Sequence, residues 1–371
     1  VTNLQVSAAV SPTHFFPPDP SSQVVCSIGG NVAENSGGAH CFKYGFTTNY
    51  VLGLEVVLPD GEVVALGGKE LDYPGYDLTG VFVGSEGTLG IATKIVLRVI
   101  PVPERFRTLI AFFESMEEAG QAVSDIVAAG VVPGAIEIMD RLAIKATEQA
   151  TGAGYRLDVG AALIVEIDGS EAECELAFGE VVGICEKSRS VEIRIARDDQ
   201  ERQLIWKARK AAFAAMGRLA PNYYVQDGVI PRTKLPEILR TIDELARRFN
   251  VSVANVFHAG DGNLHPLVLY DETVPGEAKR AEEVAGLIVE ACVEAGGSLT
   301  GEHGIGIEKK RHMPKMFSES DLDGFQRLRC AFDPDQLANP GKVMPTPRLC
   351  GEVPGPYRQH PLERAGVAER M

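Results

Sequence analysis

Between Arg107 and Phe257 short apolar runs of β-forming residues alternate with amphipathic helical stretches, and this alternation limits the possible folds more than any other feature. Residues 108–113 read as a strand, 115–129 as a helix and 135–139 as a second strand. Ser115 is suited to cap that helix, with Glu118 three residues on. A similar unit follows over 162–167, 170–187 and 191–195, and a third over 225–230, 234–249 and 251–257. Repeated strand–helix–strand units with antiparallel pairing predict an α+β class with a ferredoxin-like cap. A further helix over 276–295 is stopped by Gly296-Gly297, and a basic helix over 200–216 carries the only tryptophan, Trp206.

Residues 1–103 have a different texture, glycine-rich with short β segments. Strands are expected at 51–58 and 62–66, joined by a turn at Pro59-Asp60-Gly61, and again at 81–84 and 91–99. Cys26-Ser-Ile-Gly-Gly-Asn-Val-Ala-Glu-Asn-Ser-Gly-Gly38 and Ser85-Glu-Gly-Thr-Leu-Gly90 are candidate loops where backbone amides can approach a flat or anionic ligand. Taken one at a time, their glycines equally suit tight turns in a β-rich fold. Neither a Gly-x-Gly-x-x-Gly motif after a strand nor a Walker loop is present. The expected organisation is a front domain over 1–103, a second domain over 104–346 and a poorly ordered tail over 347–371.

A formal net charge of −15 argues against nucleic-acid binding, which needs clustered Lys and Arg. No apolar run is long enough to span a bilayer. The seven cysteines, at 26, 41, 174, 185, 292, 330 and 350, include no Cys-x-x-Cys pair, so the chain offers no iron–sulfur ligand set of its own. Their odd count and scatter read as reduced thiols in a cytoplasmic protein. The chain begins Val1-Thr-Asn-Leu without an initiator Met and is expected to be a piece of something longer.

The chemistry concentrates in Asn255-Val-Phe-His-Ala-Gly-Asp-Gly-Asn-Leu-His265 and Thr300-Gly-Glu-His-Gly-Ile-Gly306. His258 and His265 are seven residues apart, which on one strand would put them on opposite faces. A turn at Gly260-Asp-Gly-Asn263 makes them partners across a hairpin instead. With Glu302 as a third ligand, imidazole and carboxylate suit Zn, Mn or Fe, leaving a position open for substrate.

The glycine-rich segments, together with Tyr44-Gly45, Leu52-Gly-Leu-Glu-Val-Val-Leu58 and Gly84-Ser-Glu-Gly-Thr-Leu-Gly-Ile91, resemble the FAD-binding domain of vanillyl-alcohol-oxidase-type flavoproteins, the p-cresol methylhydroxylase (PCMH) type. The His258–His265 stretch, Gly301-Glu-His-Gly-Ile-Gly306 and Asn339-Pro-Gly-Lys342 resemble the C-terminal domain of FAD-linked oxidases, closest to the branch that oxidises glycolate and D-lactate. The resemblance covers residues 1 to about 346. It implies the later half of a PCMH-type FAD domain, a ferredoxin-like cap and a C-terminal helical return, with an earlier pyrophosphate loop missing. It also implies that Asp19, Pro20, Ser21 and Ser22 lie along the FAD diphosphate and ribityl, that Gly29, Gly30, Asn31 and Asn35 line the flavin, and that Glu86, Gly90 and Ile91 lie near the adenine. His258, His265 and Glu302 match the family's metal ligands, His303 its general base, and Arg209 and Asn263 groups near the substrate carboxylate. Val225 and Gln226 stand where relatives acting on 2-hydroxyglutarate carry a lysine, which favours a small monocarboxylate. The implied activity is FAD-dependent, metal-assisted oxidation of glycolate to the 2-oxo acid, with D-lactate oxidation as the alternative. Electrons would leave through an FAD-binding partner subunit and an iron–sulfur subunit, which would also supply any membrane association. A rival reading is a metal-binding fragment without redox activity.

Overall fold

The computed structural model describes residues 1–71, 73–345 and 350. In the front half, β1 (His14–Phe15) pairs with β5 (Ile100–Pro101), while β2 (Val51–Val57) lies between β3 (Val63–Gly67) and β4 (Ile91–Leu97). The second half is built on one antiparallel sheet. Its strands are β6 (Arg105–Phe113), β7 (Ala135–Asp140), β8 (Ala161–Gly169), β9 (Glu192–Ile195), β10 (Asn222–Val225), β11 (Gly228–Val229), β12 (Ser252–His258) and β13 (Asn263–Tyr270). Their order is β10-β13-β12-β7-β8-β6-β9, with β11 on β13. Strand β8 separates β6 from β7, and β6 separates β8 from β9. Two interleaved strand–helix–strand units of this kind are the ferredoxin-like arrangement that the sequence pattern predicts.

This sheet is buried on both faces, which explains why its strands read as continuous apolar runs rather than alternations. Leu109, Ala111 and Phe113 point into one core with the helices Met116–Ala128, Glu171–Lys187, Leu235–Phe249 and Glu277–Glu294. Ile110 and Phe112 point into the other with Arg141–Thr151 and Asp199–Ala215. Phe112 and Phe113 are fully buried, so truncating either to Ala should cost about 3–5 kcal/mol.

Several local expectations are corrected. The segment after Cys26 is a helix, Ile28–Glu34, where loops were expected. The Ser27 hydroxyl accepts from Gly30 N at 3.0 Å, and Asn35 ends the helix in a left-handed conformation at φ +50°. A good cap at each end and burial of Ile28 and Val32 outweigh the cost of two glycines. Residues 81–84, expected as a strand, overlap a short helix, Leu78–Phe82, whose cap Asp77 accepts from Gly80 N. The single strand expected over 225–230 is broken into β10 and β11, both on β13. Cys330 and Cys350, expected as thiols, are disulfide-bonded, with Cα atoms 5.5 Å apart. The fold brings together two cysteines whose spacing carries no motif. The tail expected at 347–371 lies outside the described residues apart from Cys350. Among the described residues no helix is long and apolar enough to cross a membrane.

The two halves meet through buried charge. His40 sits between Asp19, at 3.0 Å, and Glu166 of β8, at 3.3 Å. Glu166 also accepts from Thr108, Arg202 and the Trp206 indole. Lys43 and Tyr44 both reach Asp168.

Candidate metal and flavin site

Strands β12 and β13 form the expected hairpin, but its register differs from the simple pairing. His258 lies opposite Asn263, and His265 lies opposite Val256. The histidines are therefore diagonal neighbours on one face, with ring centroids 4.9 Å apart. Gly262 makes this turn possible: its φ is +81°, and a Cβ there would sit 2.3 Å from the Ile230 carbonyl.

A carboxylate lies beside each histidine, Glu137 on the neighbouring strand β7 and Asp227 in the link between β10 and β11. Glu137 of β7 is directly across from His258 and its Oε1 contacts Nδ1 at 2.7 Å, leaving Nε2 turned towards Glu302. Glu137 in turn pairs with Arg209. His265 Nε2 lies 3.3 Å from Asp227 Oδ1, and Asp227 takes the Lys309 ammonium at 3.2 Å. The sequence reading omits Glu137, Asp227 and Lys309. A lone Glu in the apolar run Ala135–Asp140 was the available signal for the first.

Glu302 closes the group. Its Oε1 is 3.2 Å from His258 Nε2 and 3.4 Å from His265 Nε2. Such spacings are close to the edges of a tetrahedron with metal–ligand bonds of about 2.0–2.1 Å. The three ligand atoms lie within 4.8 Å of one another. Both ring nitrogens of the fully buried His265 lack a hydrogen-bond partner, an unusual state for a buried imidazole without an ion. Burial pushes His265 down to about 4, which keeps it neutral and able to ligate. Burial alone would raise Glu302, but the hydrogen bond and charge of His258 bring it down to about 2. Burial would lower His258, yet Glu137 and Glu302 hold it well above the usual range. The surroundings thus call for positive charge, and the residues present fit a divalent ion. Asp227, His265 and His303 also meet the spacing, but Lys309 already neutralises Asp227.

His303 is the accessible member of the cluster, with a 40% exposed side chain. The His303 ring stacks on His265 at 4.8 Å, and its Nε2 lies 3.8 Å from Glu302 Oε1. Asn263 is nearly buried beneath Gly301, and its side-chain oxygen lacks a partner. Arg209, expected near a substrate carboxylate, is 1% exposed and lies behind His258 on Glu137.

The expected flavin residues form two groups. Gly29, Gly30 and Asn31 lie on the helix Ile28–Glu34, Asn35 ends it, and Glu86 N donates to Ala33 O beside them. Asn31 is buried among Asn3, Ser36 and Cys26. Asn35 Oδ1 accepts from Thr48 N. Gly90 holds a φ of +148° against Val57 O, and Ile91 is exposed. The second group is the 19–22 turn. Asp19 there is committed to His40 and Lys210, Pro20 is buried and Ser22 exposed, and Ser21 lies between them in burial. The glycine-rich segment also reaches the candidate metal site directly, because Gly37 N donates to Glu302 Oε2 at 3.1 Å.

Two family matches make this the architecture of a flavin-dependent oxidoreductase. Residues 102–343 match the family described as FAD linked oxidases, C-terminal domain, and residues 1–67 match an FAD binding domain. The chain belongs to the FAD-linked oxidase family. It is 48% identical over 361 residues to the glycolate oxidase subunit GlcD of Escherichia coli K12, covering 97% of this chain and 72% of that protein. It is 30% identical to the mitochondrial D-lactate dehydrogenase [cytochrome] of Arabidopsis thaliana, covering 91% of this chain and 59% of the plant protein. Substrate-bound p-cresol methylhydroxylase has the same fold, with a TM-score of 0.73 at 16% identity, covering 91% of this chain and 73% of that one.

Proposed function

We propose that the chain oxidises a small 2-hydroxy acid, glycolate in the first place, and passes the electrons to partner subunits. The observation carrying this reading is the His258–His265–Glu302 cluster, joined through Gly37 to the glycine-rich segment of the FAD-binding half. The glycolate oxidase relative is itself named as a subunit, which supports the existence of partner subunits; an FAD-binding and an iron–sulfur subunit are the partners proposed. Residues 1–103 would hold flavin and 104–346 substrate and metal.

When bound, FAD accepts the hydride and a divalent ion lowers the pKa of the substrate hydroxyl. The remaining work falls to the chain. His258, His265 and Glu302 would hold the ion, with Glu137 fixing the His258 imidazole through Nδ1 and Asp227 beside Nε2 of His265. His303 Nε2 would take the hydroxyl proton, a role open to an accessible imidazole near neutral pH. Asn263 offers an unpartnered oxygen within the same centre. Arg209 keeps an unpartnered Nε, and its claim on the substrate carboxylate requires reach past Glu137.

Steady-state turnover on glycolate, D-lactate and L-lactate, with an artificial electron acceptor, tests the reading. The expected order of kcat/KM is glycolate, then D-lactate, with L-lactate far behind. A preference for D-lactate would favour the second assignment, and no turnover on any of the three by FAD-loaded protein would reject the class.

A further inference from the structure

The Thr300–Gly306 segment carries Glu302 and His303 but has no helix or strand of its own. Its backbone amides are therefore not satisfied by regular structure, and each must find another acceptor. The Ser298 and Thr300 hydroxyls take the amides of Thr300 and Gly304, and two buried or half-buried carboxylates take the other five. Asp227 accepts from Gly301 N at 3.0 Å, Glu302 N at 3.2 Å and His303 N at 2.9 Å. Glu86 accepts from Ile305 N at 2.6 Å and Gly306 N at 2.7 Å. Asp227 belongs to the same half as the turn. Glu86 comes from the front half, 219 residues away in sequence.

Glu86 is itself fixed from three directions. It holds a left-handed conformation at φ +52°, uncommon for a residue with a side chain. Its amide donates to Ala33 O at 2.8 Å, at the end of the helix Ile28–Glu34. Its carbonyl accepts from Asn339 Nδ2 at 2.5 Å. The turn is pressed against it, since a Cβ on Gly304 would sit 2.6 Å from Glu34 Oε2 and 2.8 Å from Glu86 Cδ. Glu86 and Glu302 line one cleft between the halves.

We propose that Glu86 is a positioning residue that sets the Glu302–His303 turn from the flavin-bearing half, rather than a contact of the FAD adenine. A carboxylate accepting two successive amides fixes the direction of the chain leaving His303. Because the same residue is anchored to the helix Ile28–Glu34, placement of metal ligand and base depends on the front half being in register. The inference rests on the proposed metal reading.

The test uses Co2+ as the probe metal on the full chain, with FAD binding followed separately by flavin fluorescence. Glu86→Gln preserves shape but turns an NH2 group towards one of the two amides. Gly304→Ala displaces the same turn by bulk and strain without touching charge. Both variants should bind Co2+ 10–100-fold more weakly than wild type and shift its visible absorption bands. FAD affinity of Glu86→Gln should stay within about twofold. Glu86→Asp, whose carboxylate keeps both acceptor oxygens, should recover part of the lost Co2+ affinity. Co2+ affinity within twofold of wild type in Glu86→Gln would overturn the proposal, as would a loss of FAD affinity as large as that for Co2+. Should Glu86→Gln fail to fold, Gly304→Ala decides by the same Co2+ criterion. A wild-type chain that binds no Co2+ would instead remove the metal reading on which the inference stands.

Discussion

At the residue scale the two imidazoles of the proposed centre differ, since His258 has one nitrogen committed and one available, whereas Nε2 of His265 faces both Asp227 and Glu302. Glu137 holds His258 by Nδ1, so Nε2 is presented to Glu302. Removing that carboxylate should loosen the ring and reduce its basicity. Glu137→Gln is expected to lower metal affinity about 10–100-fold while the fold persists, measured by Co2+ or Mn2+ titration. His303 is the opposite case, accessible and outside the tightest ligand set. His303→Ala should lower kcat by about 10²–10⁴ with metal and flavin content near wild type. Loss of metal in that variant would make His303 a ligand, and retained turnover would remove it from the chemistry. The proposed ligands could be singled out in the sequence, because His258, His265 and Glu302 stand in two short motifs. Their partners were not. Whether Glu137 meets His258 depends on which strand is neighbour to β12, and strand β7 is more than a hundred residues earlier.

At the scale of elements the hairpin is the critical unit. A one-residue change in its register would turn one histidine away from the cluster. Gly262 fixes that register through a left-handed turn residue pressed on Ile230 O. Gly262→Ala should destabilise the protein by about 1–3 kcal/mol and release bound metal, measured by urea denaturation and metal analysis of one preparation. The β–α alternation of the second half was readable because its helices are amphipathic and its strands apolar. The front half resisted reading. The Ile28–Glu34 helix contains two glycines, and its formation depends on Ser27, Asn35 and the tertiary burial of Val32. Propensity alone therefore points to a loop where packing makes a helix.

At the scale of the whole molecule, function depends on how the front half meets the sheet. His40 is the most telling contact there. Burial would lower its pKa, but the charge and hydrogen bond of Asp19, with Glu166 beside it, raise it to about 10 from an ordinary 6.5. The folded protein therefore holds this proton more tightly than the unfolded chain. Its stabilising contribution is complete below about pH 6.5 and is lost as pH rises towards 10. Urea midpoints should fall between pH 7 and 9.5 in wild type, and His40→Gln should start lower and show a flatter slope over that window. Equal slopes would show that His40 does not link the halves by charge.

The central claim is that His258, His265 and Glu302 of the second half form one divalent-metal centre, with the front half reaching it through the Gly37 amide on Glu302. Elemental analysis of the wild-type chain and His265→Ala, purified side by side and reconstituted with the same metal, tests it most directly. The account predicts one ion per chain in the wild type and almost none in the variant, with both folded by circular dichroism. Full metal occupancy in folded His265→Ala would contradict it and leave the histidines as structural residues of the hairpin.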